Sequence, residues 1–236
     1  VHQPTPVAMR YPCPATGLGL PVNRGPVGGG LTSPPGFAAE EGTMPWYVRL
    51  RALDRFRFRH DRWLRKTYRD AACVVGIAPY VREVLKDIDL RCFETMNETA
   101  LTAPPSYVMR KERSGVVQVL HVGRLVRTKG TREAIRAMAS CRDLPLVLDI
   151  VGDGPDRAAC EALVAQLDLG SRVRFHGAIP RREVDHFYAN ADLFVFPSYR
   201  EPGGNVIFEA MGHGLPVIAC NRGGPSTALD RSCAFL

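Results

Sequence analysis

The chain has 236 residues, 45% of them hydrophobic and 23% charged, which is ordinary for a globular protein of one large or two modest domains. No apolar run reaches the ~18 residues that cross a bilayer, and the opening "VHQPTPVAMR" has neither the basic nor the apolar region of a signal peptide. The net charge of +7 admits nucleic acid, a membrane surface or a polyanionic small molecule as partner, so the placement of the charge has to decide.

Residues 1–45 are dense in Pro and Gly, which break regular elements, and "GLPVNRGPVGGG" reads as a short strand entering a glycine-rich loop. Residues 46–70 place Trp46, Leu50, Leu53, Phe56, Trp63, Leu64 and Tyr68 near helical spacing, with nine Arg or Lys on the rest of the segment. "AACVVGIA" reads as a buried strand and "PYVREVLKDI" as a short helix with Pro in its first turn. "NETALTAPPSYVMRKERSG" has turn chemistry without periodicity and reads as a linker.

Beyond residue 115 the pattern becomes regular. "VVQVLHV", "LPLVLDIVG", "RVRFHG", "DLFVFP" and "LPVIAC" read as strands. Between them lie helices over "TREAIRAMASC", with Thr131 as N-cap, "PDRAACEALVAQLDLG", begun by Pro155 and ended by Gly170, "RREVDHFYANA", and the stretch through "FEAMGHG". Near-continuous apolar strands alternating with helices predict a parallel sheet covered on both faces, whose ligands bind at the carboxyl ends of the strands. Seven cysteines at an odd count without a C-x-x-C pair suggest neither a disulfide framework nor a zinc site, and point to a reducing, cytoplasmic setting. The first residues lack an initiator Met and the closing "DRSCAFL" lacks a helix stop, so a piece of a longer chain is expected.

Three stretches carry candidate chemistry. In "HVGRLVRTKG", Gly123 and Gly130 bracket a strand-end loop with Arg124, Arg127 and Lys129, which suits a phosphate or is merely a solvated basic turn. "VGDGPDRAA" imitates a dinucleotide fingerprint but has Arg157 where the third Gly belongs, so a plain turn into a helix suffices. In "EPGGNVIFE", Glu201 fits a helix-start acid, while Glu209 sits among apolar neighbours where a carboxylate needs partners and could accept two hydroxyls of a diol such as ribose. His121 and His213 read as structural, and His176 as a candidate for an interdomain cleft. Segment 46–70 is either a core helix with a solvated basic face or an amphipathic helix resting on an anionic membrane.

Taken together, "VGRLVRTKG", "VGDGP", "RVRFHG" and "YANADLFVFPSYREPGGNVIFEAMGHGLPVIACNRGG" resemble the donor-binding domain of retaining GT-B glycosyltransferases of family four, over about 116 to 225. The pair of glutamates with seven residues between them is that family's signature. Upstream, "GPVGGGLTSPPGF" and "ACVVGIAPYVREVL" resemble the later half of its amino-terminal domain. The resemblance implies an α/β fold of the GT-B type, with Rossmann-like doubly wound parallel sheets. It implies a partial acceptor-side domain at 1–112, with Gly28 and Gly29 in its glycine-rich loop, and a nearly complete nucleotide-sugar domain at 113–236. Arg124 and Lys129 would grip the donor diphosphate, with Gly123 in the same loop, and Glu201 would hold the transferred sugar. Backbone amides of Gly203, Gly204, Asn205 and Val206 would face sugar and phosphate, Glu209 the ribose, and Ala178 and Ile179 the base.

The implied reaction moves a hexose-type sugar from a UDP- or GDP-type donor to a glycan or lipid-linked acceptor with retention. The leaving phosphate helps deprotonate the acceptor, and neither a cofactor, a metal nor nucleic acid is needed. A truncated, non-catalytic nucleotide-sugar binder and a GT-B epimerase are the alternatives. Pro202 departs from the family's usual Gly and bears on which sugar is accepted.

Overall fold

A computed structural model of the chain describes residues 1–4, 8–38, 53–97, 115–230 and 232–235. It divides into two units, Val1–Glu98 and Thr99–Leu236. The first unit holds a parallel sheet in the order β1 (His2–Gln3), β2 (Asn23–Val27), β3 (Cys73–Gly76), β4 (Phe93–Thr95). Its described helices are α1 (Pro35–Ala38), α2 (Leu53–His60), α3 (Arg62–Arg69) and α4 (Tyr80–Val84). Val27, Leu64, Tyr68, Val74, Ile77, Val81 and Leu85 form its core.

The helix expected over 46–70 is broken. Asp61 takes an extended backbone (ψ 106°), and its carboxylate accepts the amides of Trp63 (3.1 Å) and Leu64 (3.0 Å), so it caps a new helix. Those amides, Leu64's first, hold the Asp61 carboxyl below the usual carboxylate range. The break resets which residues face inward: Phe58, Leu64, Thr67 and Tyr68 are buried, while Leu53, Phe56 and Trp63 are exposed, Trp63 to 72%. Trp46 and Leu50 lie outside the described residues, as does most of the stretch read as a linker.

The second unit has six parallel strands: β5 (Val117–Val122), β6 (Leu146–Val151), β7 (Val173–Gly177), β8 (Leu193–Phe196), β9 (Val217–Ala219) and β10 (Ala234–Phe235). Their order in space is β10-β9-β8-β5-β6-β7. Alternate side chains explain why most of β5 is apolar: Leu120 and Val122 join one core, Val119 the other. Helices α5 (Thr131–Ser140) and α6 (Arg157–Gln166) cover the second of these faces with Ile135, Met138, Cys160 and Val164. Helices α7 (Arg181–Asn190) and α8 (Asn205–Gly212) cover the first with Val184, Tyr188, Ile207 and Ala210, and a short α9 (Pro225–Ala228) precedes β10.

Two expected helix ends differ. Thr131 is the first helical residue rather than the N-cap, because its hydroxyl donates to Nε2 of the fully buried His121 (3.1 Å) and Gly130 takes the cap position at φ 74°. Asp168, at φ 51°, takes the left-handed position past α6, ahead of Gly170. The His121 ring also donates from Nδ1 to the Val195 carbonyl (3.0 Å), which fixes the neutral tautomer. All seven cysteines are free.

Two measurements test this account. Burial pulls His121 down to about 4, with the charge of Lys129 acting the same way and the Val195 carbonyl opposing it. The folded value lies below the unfolded one, so His121's contribution is complete above pH ~6.5 and disappears as pH falls toward 4, a loss of up to about 3 kcal/mol. Denaturant midpoints taken between pH 7 and 4.5 should fall less steeply in His121→Gln than in the parent. A Cβ at Gly130 would meet the Pro197 carbonyl oxygen at 2.1 Å on a positive-φ backbone, whereas one at Gly170 meets nothing within 4 Å. Gly130→Ala should cost ~1–3 kcal/mol and Gly170→Ala within ~0.5, read by thermal or urea unfolding.

Candidate functional site

Strand order reverses at β5, which lies between β8 and β6. In such sheets the loops at the carboxyl ends of the two flanking strands diverge and leave a crevice. Here those loops are 123–130 after β5 and 197–204 after β8.

The loop after β5 carries three cations with three different situations. Arg127 is buried and forked onto Glu133, each bond 2.7 Å, with its guanidinium 5.7 Å from the centre of the Tyr199 ring. It is a structural anchor. Lys129 pairs with Glu201 and lies 5.4 Å from the Phe196 ring centre. Arg124 is exposed and makes no ion pair with a described residue. An incoming anion therefore meets one available guanidinium and one ammonium already held by a carboxylate.

The loop after β8 is docked on the first. The Thr128 carbonyl accepts both the Ser198 hydroxyl (3.0 Å) and the Tyr199 amide (3.2 Å). Glu201 is 8% exposed; one carboxylate oxygen faces Lys129 and the other accepts the Gly204 amide at 3.1 Å. The amide of Gly204, expected to face a ligand, is therefore occupied within the chain, because Glu201 folds back over the helix start. Gly204 itself stands at φ 88° as the N-cap of α8, and the first-turn amides of that helix begin at Asn205 and Val206. Gly203 is buried, and its carbonyl lies so close to Gly224 that a Cβ there would come within 2.1 Å. Pro202 is half-buried and has no amide to offer.

Glu209 lies in the second turn of α8 with its side chain 16% exposed. One oxygen accepts the Tyr188 hydroxyl (2.9 Å), and the other faces Arg181 (3.1 Å) at the start of α7. Burial and then the Glu209 charge push the Tyr188 phenol far above its usual range, so it stays a neutral donor. Neither Tyr188 nor Arg181 is marked by spacing in the sequence. The only available signal was the rule that a buried phenol finds a partner. Ala178 is exposed and Ile179 is packed against the core just past β7. Gly28 and Gly29 belong to the first unit, just past β2, where the Gly29 amide reaches the Tyr80 hydroxyl at 3.4 Å.

A separate hollow of about 330 Å³ is lined by residues of β5, β6, β7 and the second half of α7. His176 is there, bonded to Asp149 at 2.7 Å. Among the described residues, no group of three or more His, Cys, Asp and Glu is placed to hold a metal, and no helix is long and apolar enough to cross a membrane.

Comparison with known proteins places the chain in a family. The chain is 36% identical over 161 residues to a 2-deoxystreptamine glucosyltransferase of Streptomyces kanamyceticus, covering 65% of this chain and 40% of that protein. It is 35% identical over 150 residues to the lipopolysaccharide core biosynthesis glycosyltransferase LpsD of Rhizobium meliloti strain 1021, covering 64% and 43%. It thus spans less than half the length of these two relatives. The sucrose-phosphate synthase structure from Thermosynechococcus elongatus superposes with a TM-score of 0.62 at 26% identity, over 84% of this chain and 51% of that one. Its two parallel α/β sheets are those of the GT-B glycosyltransferase fold. The family model described as glycosyl transferases group 1 matches residues 110–231, more than half of the chain, and with the paired loops just described this protein belongs to that family.

Proposed function

We propose that the second unit binds a nucleoside-diphosphate sugar, and that the chain serves a glycosyl transfer that retains the configuration of the transferred hexose. The observation that carries this is the Lys129–Glu201 pair across the carboxyl ends of β5 and β8, with Arg124 beside it. A diphosphate brings negative charge to Arg124 and Lys129, while the Glu201 carboxylate is placed to take sugar hydroxyls. Charge-assisted contacts of roughly 1.5–3 kcal/mol each are of the size needed to hold a leaving diphosphate without a metal.

In the transfer, the bond from the sugar's anomeric carbon to the diphosphate oxygen breaks and a bond to the acceptor oxygen forms on the same face. The acceptor's proton passes to the departing phosphate oxygen. Arg124 and Lys129 stabilise the charge that gathers there, and Glu201 orients the sugar. Glu209 receives the ribose, and the backbone at Ala178 and Ile179 borders the base. The first unit, with Gly28 and Gly29, takes the acceptor side, a glycan or a lipid-linked sugar.

Calorimetry with UDP, GDP and ADP tests the site. Lys129→Ala should weaken the best-bound nucleotide about 10- to 100-fold and Glu209→Ala about tenfold, whereas Arg127→Ala should lower the unfolding midpoint through the lost Glu133 fork. Undiminished binding in both Lys129→Ala and Glu209→Ala would remove the assignment.

The α2–α3 surface supports contact with an anionic bilayer. Leu53, Phe56 and Trp63 protrude, and Arg55, Arg59, Arg62 and Arg69 are exposed on the same two helices. Vesicles of phosphatidylglycerol and phosphatidylcholine should sediment the protein and release it at high salt, and pure phosphatidylcholine should not. Binding unaffected by Phe56→Ala with Trp63→Ala would disprove this contact.

A further inference from the structure

We propose that Tyr188 is a positioning residue for the nucleotide. Its buried hydroxyl fixes the Glu209 carboxylate so that open acceptor sites on both oxygens are held in place for a vicinal diol. The proposal rests on the reading of Glu209 as the ribose acid and adds what makes that acid competent.

Geometry separates the two groups that touch Glu209. Tyr188 is fully buried, its ring 5.7 Å from Phe194 and stacked on His213 at 5.2 Å. Its hydroxyl has one proton and two nearby acceptors, the Glu209 carboxylate at 2.9 Å and the Val206 carbonyl at 3.4 Å. The shorter, charged acceptor takes the proton. Arg181 is 60% exposed on its side chain and divides its guanidinium between Glu209 (3.1 Å) and Asp185 (3.2 Å). A mobile, shared surface cation constrains a partner weakly, whereas a packed phenol does so without losing further rotamer freedom.

The lone-pair inventory completes the case. An ionised carboxylate offers about four acceptor sites, two per oxygen. Tyr188 uses one on Oε2, while Arg181 faces Oε1 as an ion pair without a hydrogen bond, so at least one site stays open on each oxygen. A diol with adjacent hydroxyls matches that remainder. Without Tyr188 the carboxylate can turn about its last torsion, which is soft, and the two free sites no longer lie where the diol needs them.

The alternative is that Tyr188 only satisfies its own buried hydroxyl, and discrimination between ribose and its deoxygenated form separates the two accounts. The probe is whichever of UDP, GDP and ADP binds best, compared with its 2′,3′-dideoxy counterpart by calorimetry. The parent should prefer the ribonucleotide. Tyr188→Phe should weaken the ribonucleotide about tenfold and leave the dideoxy form within about twofold. Arg181→Ala, on an exposed residue, should weaken it by no more than about threefold. Near-ultraviolet circular dichroism and the unfolding midpoint establish that the variants are folded.

If Tyr188→Phe keeps the parent's ribose preference while Glu209→Gln loses it, the positioning role is overturned and the ribose reading of Glu209 stands. If Glu209→Gln keeps the preference as well, the ribose reading fails and the proposal falls with it. Equal weakening of both nucleotides by Tyr188→Phe would assign it to packing alone and overturn the proposal.

Discussion

Lys129 and Glu201 are 72 residues apart in the chain and in contact in the fold. The bonds from Ser198 and Tyr199 to the Thr128 carbonyl dock their two loops together. The pair is largely shielded, with 24% of the lysine side chain and 10% of the glutamate side chain exposed. Removing one member of such a pair leaves the other charge without compensation, which costs more than the pair contributes. Lys129 is therefore not a bare cation at the mouth of the β5 loop. The lysine charge is already balanced by Glu201, whereas the Arg124 guanidinium is not balanced by any described acid. The backbone amide of Gly204 holds the same carboxylate, so Glu201 has a fixed partner besides Lys129.

The remaining charges around the loops form a hierarchy. Arg127 and Glu133 close the base of the β5 loop, and Arg132 pairs with Asp156 at the start of α6. His121, neutral and enclosed, connects β8 through Val195 to α5 through Thr131. These are scaffold contacts made by residue types that also serve in catalysis. Arg124 stands apart because it is exposed and no described acid restrains it. The loop's cations thus differ by partner: Arg127 is locked to Glu133, Lys129 is paired with Glu201, and Arg124 has no ion pair with a described residue.

Much of this was legible in the sequence, and the failures have physical causes. The strands β5, β6 and β8 show as apolar runs because both faces of the sheet are covered. The candidate glutamates and the Arg124–Lys129 loop were visible because their spacing follows strand and helix ends. What could not be read was partnership across the sheet. Nothing local distinguishes Arg127, forked on Glu133, from Arg124, and nothing near Glu209 announces Tyr188 from another helix. Asp61 defeated the reading of 46–70 as one helix, because a single capping side chain breaks a pattern whose spacing alone continues through it. β4 and β10 went unread because strands of two or three residues carry too little pattern, and neighbouring strands supply their stability.

The Thr128 carbonyl accepts two bonds from the loop that follows β8. One consequence concerns the exchange of specificity between related enzymes. The loops after β5 and β8 are fastened at that oxygen by one side-chain and one backbone bond, so they behave as a single unit in any graft. Grafting the 197–204 segment from a relative without its matching 123–130 segment would strand a carbonyl or a hydroxyl inside the protein. Moving both segments together keeps those bonds intact.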